Sequence, residues 1–280
     1  MTILLHPYLL HFLATSLYAG LAGHFWLTRW RGAALAQPTR GLHTWERGVL
    51  LGAMAIHGVS LGEEIFFGGA MHFSFSIALS LMMWLAVAMY WIESLYTRLE
   101  GLQMLAMPLA AVCVAMPAIF PEQHLLANAD SFAFRAHFLM AMLAYSLFTL
   151  AALHAVLMAA AEKRLHKGRL SRALASLPPL LTMEALLFRL IHIAFALLTA
   201  TLISGIFFSE ALFGKPLPFN HKTVFAILSW VIFALLLTGR HFRGWRGRLA
   251  LRWTLTGFVA LLLAYVGSRF VLEVLLGRVS

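Results

Sequence analysis

Apolar runs of about 20 residues recur along the whole chain, near positions 7 to 28, 48 to 67, 73 to 92, 103 to 120, 134 to 161, 184 to 208, 222 to 239 and 250 to 275. A helix rising about 1.5 Å per residue needs about that length to cross a hydrocarbon core about 30 Å thick. Only helices and closed barrels satisfy their own backbone groups in such a medium. The chain therefore reads as an all-α polytopic membrane protein of eight transmembrane helices, with no loop long enough for a soluble domain. Composition agrees: 61% of the 280 residues are hydrophobic and 11% are charged, too few polar groups to clothe a soluble globule of that size. The second run is the least regular. Glycines, Glu63 and Glu64 break its far part, "GVSLGEEIFFGG", and are expected to end that helix early at the interface.

The net charge of +10 would suggest nucleic acid if the arginines formed a patch on a soluble domain. Here they sit in short runs between apolar segments, so the expected partner is the lipid bilayer and not nucleic acid. Arg29, Arg31, Arg40 and Arg47 separate the first two runs, five basic residues lie between Lys163 and Arg172, and five more between Arg240 and Arg252. All of these loops fall on one face. The opposite loops carry Glu63, Glu64, Glu122, Asp130 and Glu210 against Lys215 and Lys222. The excess of positive charge in cytoplasmic loops then puts both termini on the outer side. No positive charge precedes the first apolar run in "MTILLHPYLL", which points to a retained first helix and not a cleaved signal peptide. Pro108 and Pro117 remove backbone donors from the fourth run and predict a bent helix. The single cysteine, Cys113, excludes an internal disulfide, a C-x-x-C thiol relay and covalent haem attachment at C-x-x-C-H.

Thirteen histidines in so apolar a chain are the main chemical signal, because ionisable groups inside a membrane are costly and mark sites or pathways. Helix 2 rises from Arg47, which puts His57 about 15 Å above the cytoplasmic face, and helix 6 rises from Glu184, which puts His192 about 12 Å above it. Two imidazoles at matched depth suit a bis-histidine haem iron or another transition metal, whereas a histidine bonded to a carbonyl one turn back is the structural alternative. His137 opens helix 5 on the outer face two residues after Arg135. That pair suits an iron and a haem propionate, and snorkelling to the interface explains Arg135 equally well. His11, His24 and His154 read as packing or interface residues. Glu63 and Glu64 are adjacent on a helix, point in different directions, and make a weak acid/base pair. No nucleophile triad, H-E-x-x-H, phosphate loop or zinc spacing is present.

The stretches "LLFRLIHIAFALLTATLISGIFF" (186 to 208), "NHKTVFAILSWVIFALLLTGR" (220 to 240) and "GWRGRLALRWTLTGFVALLLAYVGSRFVLEVLLG" (244 to 277) resemble the C-terminal part of the CcsA-type cytochrome c assembly proteins. "AHFLMAMLAYSLFTLAA" (136 to 152) is similar to the helix before it, so the likeness covers about half of the chain in the same order. The chain looks most like the shorter, eight-helix, HemX-like branch. On this reading residues 1–130 form an N-terminal membrane half and 131–280 a CcsA-like half. The resemblance implies a bacterial inner (plasma) membrane protein that holds or delivers haem b for attachment to apocytochrome c on the outer side, together with an assembly partner. It also implies non-covalent binding at histidines inside the membrane and at an outer pair flanking a W-W-D loop. His137 matches the first outer histidine and His57, in H-x-x-x-L, an intramembrane one, so these two become the haem-iron candidates. The end of the W-W-D loop falls on "PFNHKT", which lacks tryptophan. Gly277 and Arg278 stand where the second outer histidine belongs, and His241 lies three residues beyond Thr238, where the second membrane histidine belongs. His221 enters where the tryptophans are lost, as a substitute ligand for His137 or as a helix-start residue.

The first functional reading is a haem chaperone, which need not be an enzyme, with His57 inside (against His192), His137 outside (against His221) and Arg135 at a propionate. The alternative is a regulatory or interaction protein on the same scaffold without haem chemistry, acting on a tetrapyrrole-synthesis enzyme or a neighbouring transporter. A solute transporter ranks last, because the two halves show no repeat with broken helices at equivalent places.

Overall fold

The computed structural model describes residues 7–31, 41–66, 71–96, 101–121, 124–125, 131–166, 177–213 and 221–271. The apolar runs form helices α1 (Pro7–Phe25), α2 (Thr44–Ile65), α3 (Phe75–Tyr96), α4 (Gln103–Ile119), α5 (Phe132–His166), α6 (Leu180–Phe213), α7 (His221–Arg243) and α8 (Gly247–Leu262). π-helical turns extend α1 over Trp26–Arg31 and α8 over Leu263–Gly267, and a last turn covers Ser268–Phe270. Two-residue strands β1 (His72–Phe73) and β2 (His124–Leu125) pair antiparallel and tie the α2–α3 and α4–α5 connections together. Six helices, α2, α3, α5, α6, α7 and α8 with its extension, are long and apolar enough to span a membrane. The chain is an all-α polytopic membrane protein.

The other two helices are weaker spans by themselves. α1 carries His11 and His24, and α4 has 17 residues with Pro108 and Pro117 inside it. They compensate by packing on each other. Ala14, Tyr18, Leu21 and Phe25 recur at helical spacing on the buried face of α1, within one core that also holds Ala106, Ala110 and Val114 of α4. The same core runs through α5 to α8, where the rings of Phe148 and Phe233 stack at 4.0 Å.

Successive helices alternate in direction, so contacts gather at two ends. At one, called the His11 end, the starts of α1, α3 and α5 meet the ends of α2, α4 and α6 through His11–Glu64, Ser76 to the Phe120 carbonyl, and His137–Ser204. At the other, the Arg29 end, Glu46 in the first turn of α2 is 1% exposed and accepts from Arg29 at 2.6 Å and from the His43 amide at 2.7 Å, with His24 at 3.0 Å. A carboxylate at a helix start also complements the helix dipole. The "GWRG" stretch forms the tight α7–α8 connection at this end, with Gly244 (φ +65°) and Gly247 (φ +56°) in the left-handed region that favours glycine. Trp245 folds back on Gly239, and Glu184 of α6 takes Arg240 and the Gly247 amide.

α2 departs from its expected early end and stays helical through Glu63 and Glu64 to Ile65. The physical reason is a partner: Glu64 meets His11, which offsets the cost of carrying a carboxylate into the bundle.

A Cβ on Gly239 would enter the Trp245 indole, whereas one on Gly20 meets open space. Gly239→Ala is expected to lower the stability of the detergent-solubilised protein by about 1–3 kcal/mol, the usual cost of overpacking. Gly20→Ala should leave it unchanged or raise it by about 0.5–1 kcal/mol. Thermal unfolding followed by tryptophan fluorescence checks this, and a Gly239→Ala protein as stable as the parent contradicts it.

Candidate functional site

His57 lies on the face of α2 turned into the bundle and is wholly buried. Its Nε2 is 2.9 Å from Ser80 Oγ of α3, and its Nδ1 is 3.4 Å from the Tyr18 hydroxyl of α1, with the two rings edge to face at 5.7 Å. The neighbouring Gly58 lets the Trp84 ring approach to 3.1 Å from its Cβ position, and the Trp84 indole donates to the Met54 carbonyl at 2.8 Å. His57 does not meet His192. Ile191 and Ala194 take the inward face of α6, which turns His192 outward, exposed, with Nδ1 2.6 Å from the Phe188 carbonyl of its own helix. Matched depth put the two histidines at one height, but the helical period sets them on different faces.

His137 and Ser204 join α5 to α6 near the His11 end at 2.8 Å. The Ser204 hydroxyl donates to the Thr201 carbonyl at 3.0 Å, so it accepts from His137 Nδ1–H, and in the neutral ring Nε2 carries the lone pair. That tautomer is the one a metal-binding histidine adopts when a second group orients it. His221 opens α7 and is exposed, and no described contact joins it to His137. Residues 218–220 of the "PFNHKT" stretch, together with Gly277 and Arg278, lie outside the described residues.

Arg135 is exposed on α5 and rims an apolar cavity of about 320 Å³ between α3 and α5, lined by Phe66, Trp84, Phe138 and Met142 among others. A second cavity of about 400 Å³ runs between α2 and α3 past Gly58 and Gly62. Ile65, Phe66, Leu81 and Trp84 line both, so together they form one groove between α2, α3 and α5 near the His11 end, within the size range of small-molecule sites.

Haem can be tested against these residues. A bis-histidine iron site does not fit this arrangement: His57 is enclosed with both ring nitrogens next to hydroxyls, His137 turns to α6, and His192 and His221 are exposed. Among the described residues no group of three or more His, Cys, Asp or Glu could hold a metal ion. The groove itself has Phe66, Trp84 and Phe138 in its walls and the Arg135 guanidinium at its rim, the side-chain chemistry that the faces and a carboxylate of a tetrapyrrole would meet.

The cluster that sequence reasoning missed is His11 with Glu64. Its signal was the spacing on α2, where His57, Ser60 and Glu64 fall on one helical face. Adjacent Glu63 and Glu64 do diverge, but Glu64 alone turns inward.

A bundle of long apolar helices with His11, His57 and His154 buried among them is that of a polytopic membrane protein. The comparisons give the family. The family model described as "Cytochrome C assembly protein" matches residues 51–276, and the chain belongs to that family. It is 30% identical over 166 residues to the inner membrane protein YpjD of Escherichia coli strain K12, covering 59% of this chain and 62% of that protein. An uncharacterized 28.8 kDa protein of Azospirillum brasilense is 33% identical over 141 residues, 50% of this chain and 52% of its own. Cytochrome c biogenesis protein CcsA of Gloeobacter violaceus is 32% identical over 92 residues, 33% of this chain and 27% of its own. The aligned parts thus span under two thirds of these relatives. No solved structure matches the chain.

Removing the His57 ring leaves Ser80 without its partner in a dry core and opens a cavity. His57→Ala is expected to cost about 1–3 kcal/mol for the stranded polar group, plus the cavity. His192→Ala, on the exposed face, should stay within about 0.5 kcal/mol of the parent. Denaturation in mild detergent distinguishes them, and equal losses would contradict the two placements.

Proposed function

We propose that the protein is a membrane accessory of cytochrome c assembly that takes haem b as cargo in the groove between α2, α3 and α5. The arginine-rimmed groove carries this reading. Arg135 meets a propionate, Trp84, Phe66 and Phe138 contact the ring, and apolar walls exclude water from it. His137, one residue from Phe138 and held on Ser204 of α6 in the Nε2-acceptor tautomer, lies outside the groove lining and reaches the iron only by turning from α6. The groove presents no preset pair of axial ligands, which suits a carrier that must give its cargo up. His57 comes into play only if α1, α2 and α3 part. The arginine-rich Arg29 end faces the cytoplasm of a bacterial cell, so both termini and the groove mouth lie on the outer side, where a partner receives the haem. Family membership and the CcsA relative support this reading.

A second reading has one observation in its favour. His57 is fully satisfied by Tyr18 and Ser80, as in a scaffold whose histidine is structural. The protein would then act by contact with a partner and bind no haem.

Titration of the purified protein with haem b, read by absorption in oxidised and dithionite-reduced states, separates the two. The cargo reading expects a saturable Soret shift. Arg135→Ala should weaken it about tenfold or more, the worth of a charge-assisted hydrogen bond. His137→Ala should change the reduced α and β bands, and His57→Ala should leave the affinity in place. A spectrum with no shift in the parent favours the regulatory reading.

A further inference from the structure

The His11 end holds a titratable cluster that the cargo site does not use. His11 of α1 is buried, with Nδ1 2.8 Å from the Val114 carbonyl of α4 and Nε2 2.7 Å from Glu64 Oε1 of α2. The Ser60 hydroxyl, one turn before Glu64, lies 3.0 Å from Nε2 and 3.2 Å from Nδ1. A carbonyl only accepts, so Nδ1 carries the hydrogen that goes to Val114. A neutral ring then has only a lone pair at Nε2, and an ionised Glu64 has only lone pairs at Oε1. Two lone pairs do not face each other at hydrogen-bond distance, so the contact requires a proton on the line. Either Glu64 is a neutral acid whose O–H donates to Nε2, or the imidazolium donates N–H to the carboxylate. The two forms contain the same protons, and both give the pair no net charge.

The surroundings favour keeping that proton. Glu64 Oε2 is buried and makes no hydrogen bond, so a carboxylate left alone here has no further donor to hold its charge. From α2 the other titratable neighbours are Glu63, which is exposed, and the enclosed His57, one turn before Ser60. α4, packed against α1, has no charged residue in its length and contributes only the buried thiol of Cys113. On α1 itself, Thr15 lies one turn from His11 with a buried hydroxyl that has no partner.

We infer that His11 and Glu64 form a proton-binding site, whose ligand is a single proton exchanged with the aqueous phase at the His11 end. The bound proton fastens α1, α2 and α4 together, because the histidine reaches both neighbours at once. Its release to water leaves one ring hydrogen for two acceptors, the Val114 carbonyl and the Glu64 carboxylate, so one of the two contacts must separate. That separation loosens the seam directly beside Ser60 and His57. The inference rests on this pair alone and is independent of the cargo.

The test is hydrogen–deuterium exchange on the full-length protein in nanodiscs, from neutral to alkaline buffer, corrected for the intrinsic exchange rate. In the parent, amides of residues 10–18 and 58–66 should lose protection by roughly tenfold or more as the proton leaves. Glu64→Gln replaces the acid with a neutral amide whose N–H still donates to Nε2, and should stay protected throughout. Glu64→Ala should be open at neutral pH. A parent that stays protected at every pH, or a Glu64→Gln profile that follows the parent, overturns the inference. If Glu64→Ala fails to fold, the comparison of parent with Glu64→Gln decides alone.

Discussion

A polar side chain carried into hydrocarbon is stabilised by a partner inside the protein, since no water is present there to supply one. That constraint explains much of how the helices meet. Ser80 of α3 meets His57 of α2, the Ser229 hydroxyl of α7 donates to the Gly257 carbonyl of α8, and the Trp230 indole donates to Thr199 of α6. His154 of α5 reaches the Met183 carbonyl of α6. Each contact fixes the rotation of one helix against another, which apolar packing by itself leaves less strictly defined.

The two ends solve the same problem with charge. At the Arg29 end, Glu46 gathers Arg29, His24 and the His43 amide, while Glu184 gathers Arg240 and the turn at Gly247. Basic residues of this end therefore clamp the starts of α2 and α6, and the tight "GWRG" turn is built around one of those clamps. At the His11 end there are fewer charges, and a shared proton takes the place of an arginine.

Much of the architecture was legible in the sequence. Apolar length located all eight helices, because crossing a membrane is a one-dimensional requirement that a linear sequence states directly. The buried His57 was legible for the same reason: a histidine is costly in hydrocarbon and must be housed. Pairings were not. Depth follows from counting residues along a helix, but azimuth follows from which neighbours it packs against. Counting residues put His57 and His192 at one height, but their partners lie apart, on Ser80 of α3 and on the Phe188 carbonyl of α6. Glu64 looked like a residue that ends a helix, because its partner His11 is 53 positions away. The resemblance to cytochrome c assembly proteins, carried by the second half of the chain, is matched by a family model that covers residues 51–276.

A structure of the haem-loaded protein in nanodiscs, determined by electron cryo-microscopy, tests the functional account most directly. The account predicts a tetrapyrrole between α2, α3 and α5, its ring against Trp84 and a propionate on Arg135. Density for haem at His192 or between α1 and α2 at His57, or a loaded sample with an empty groove, would contradict it.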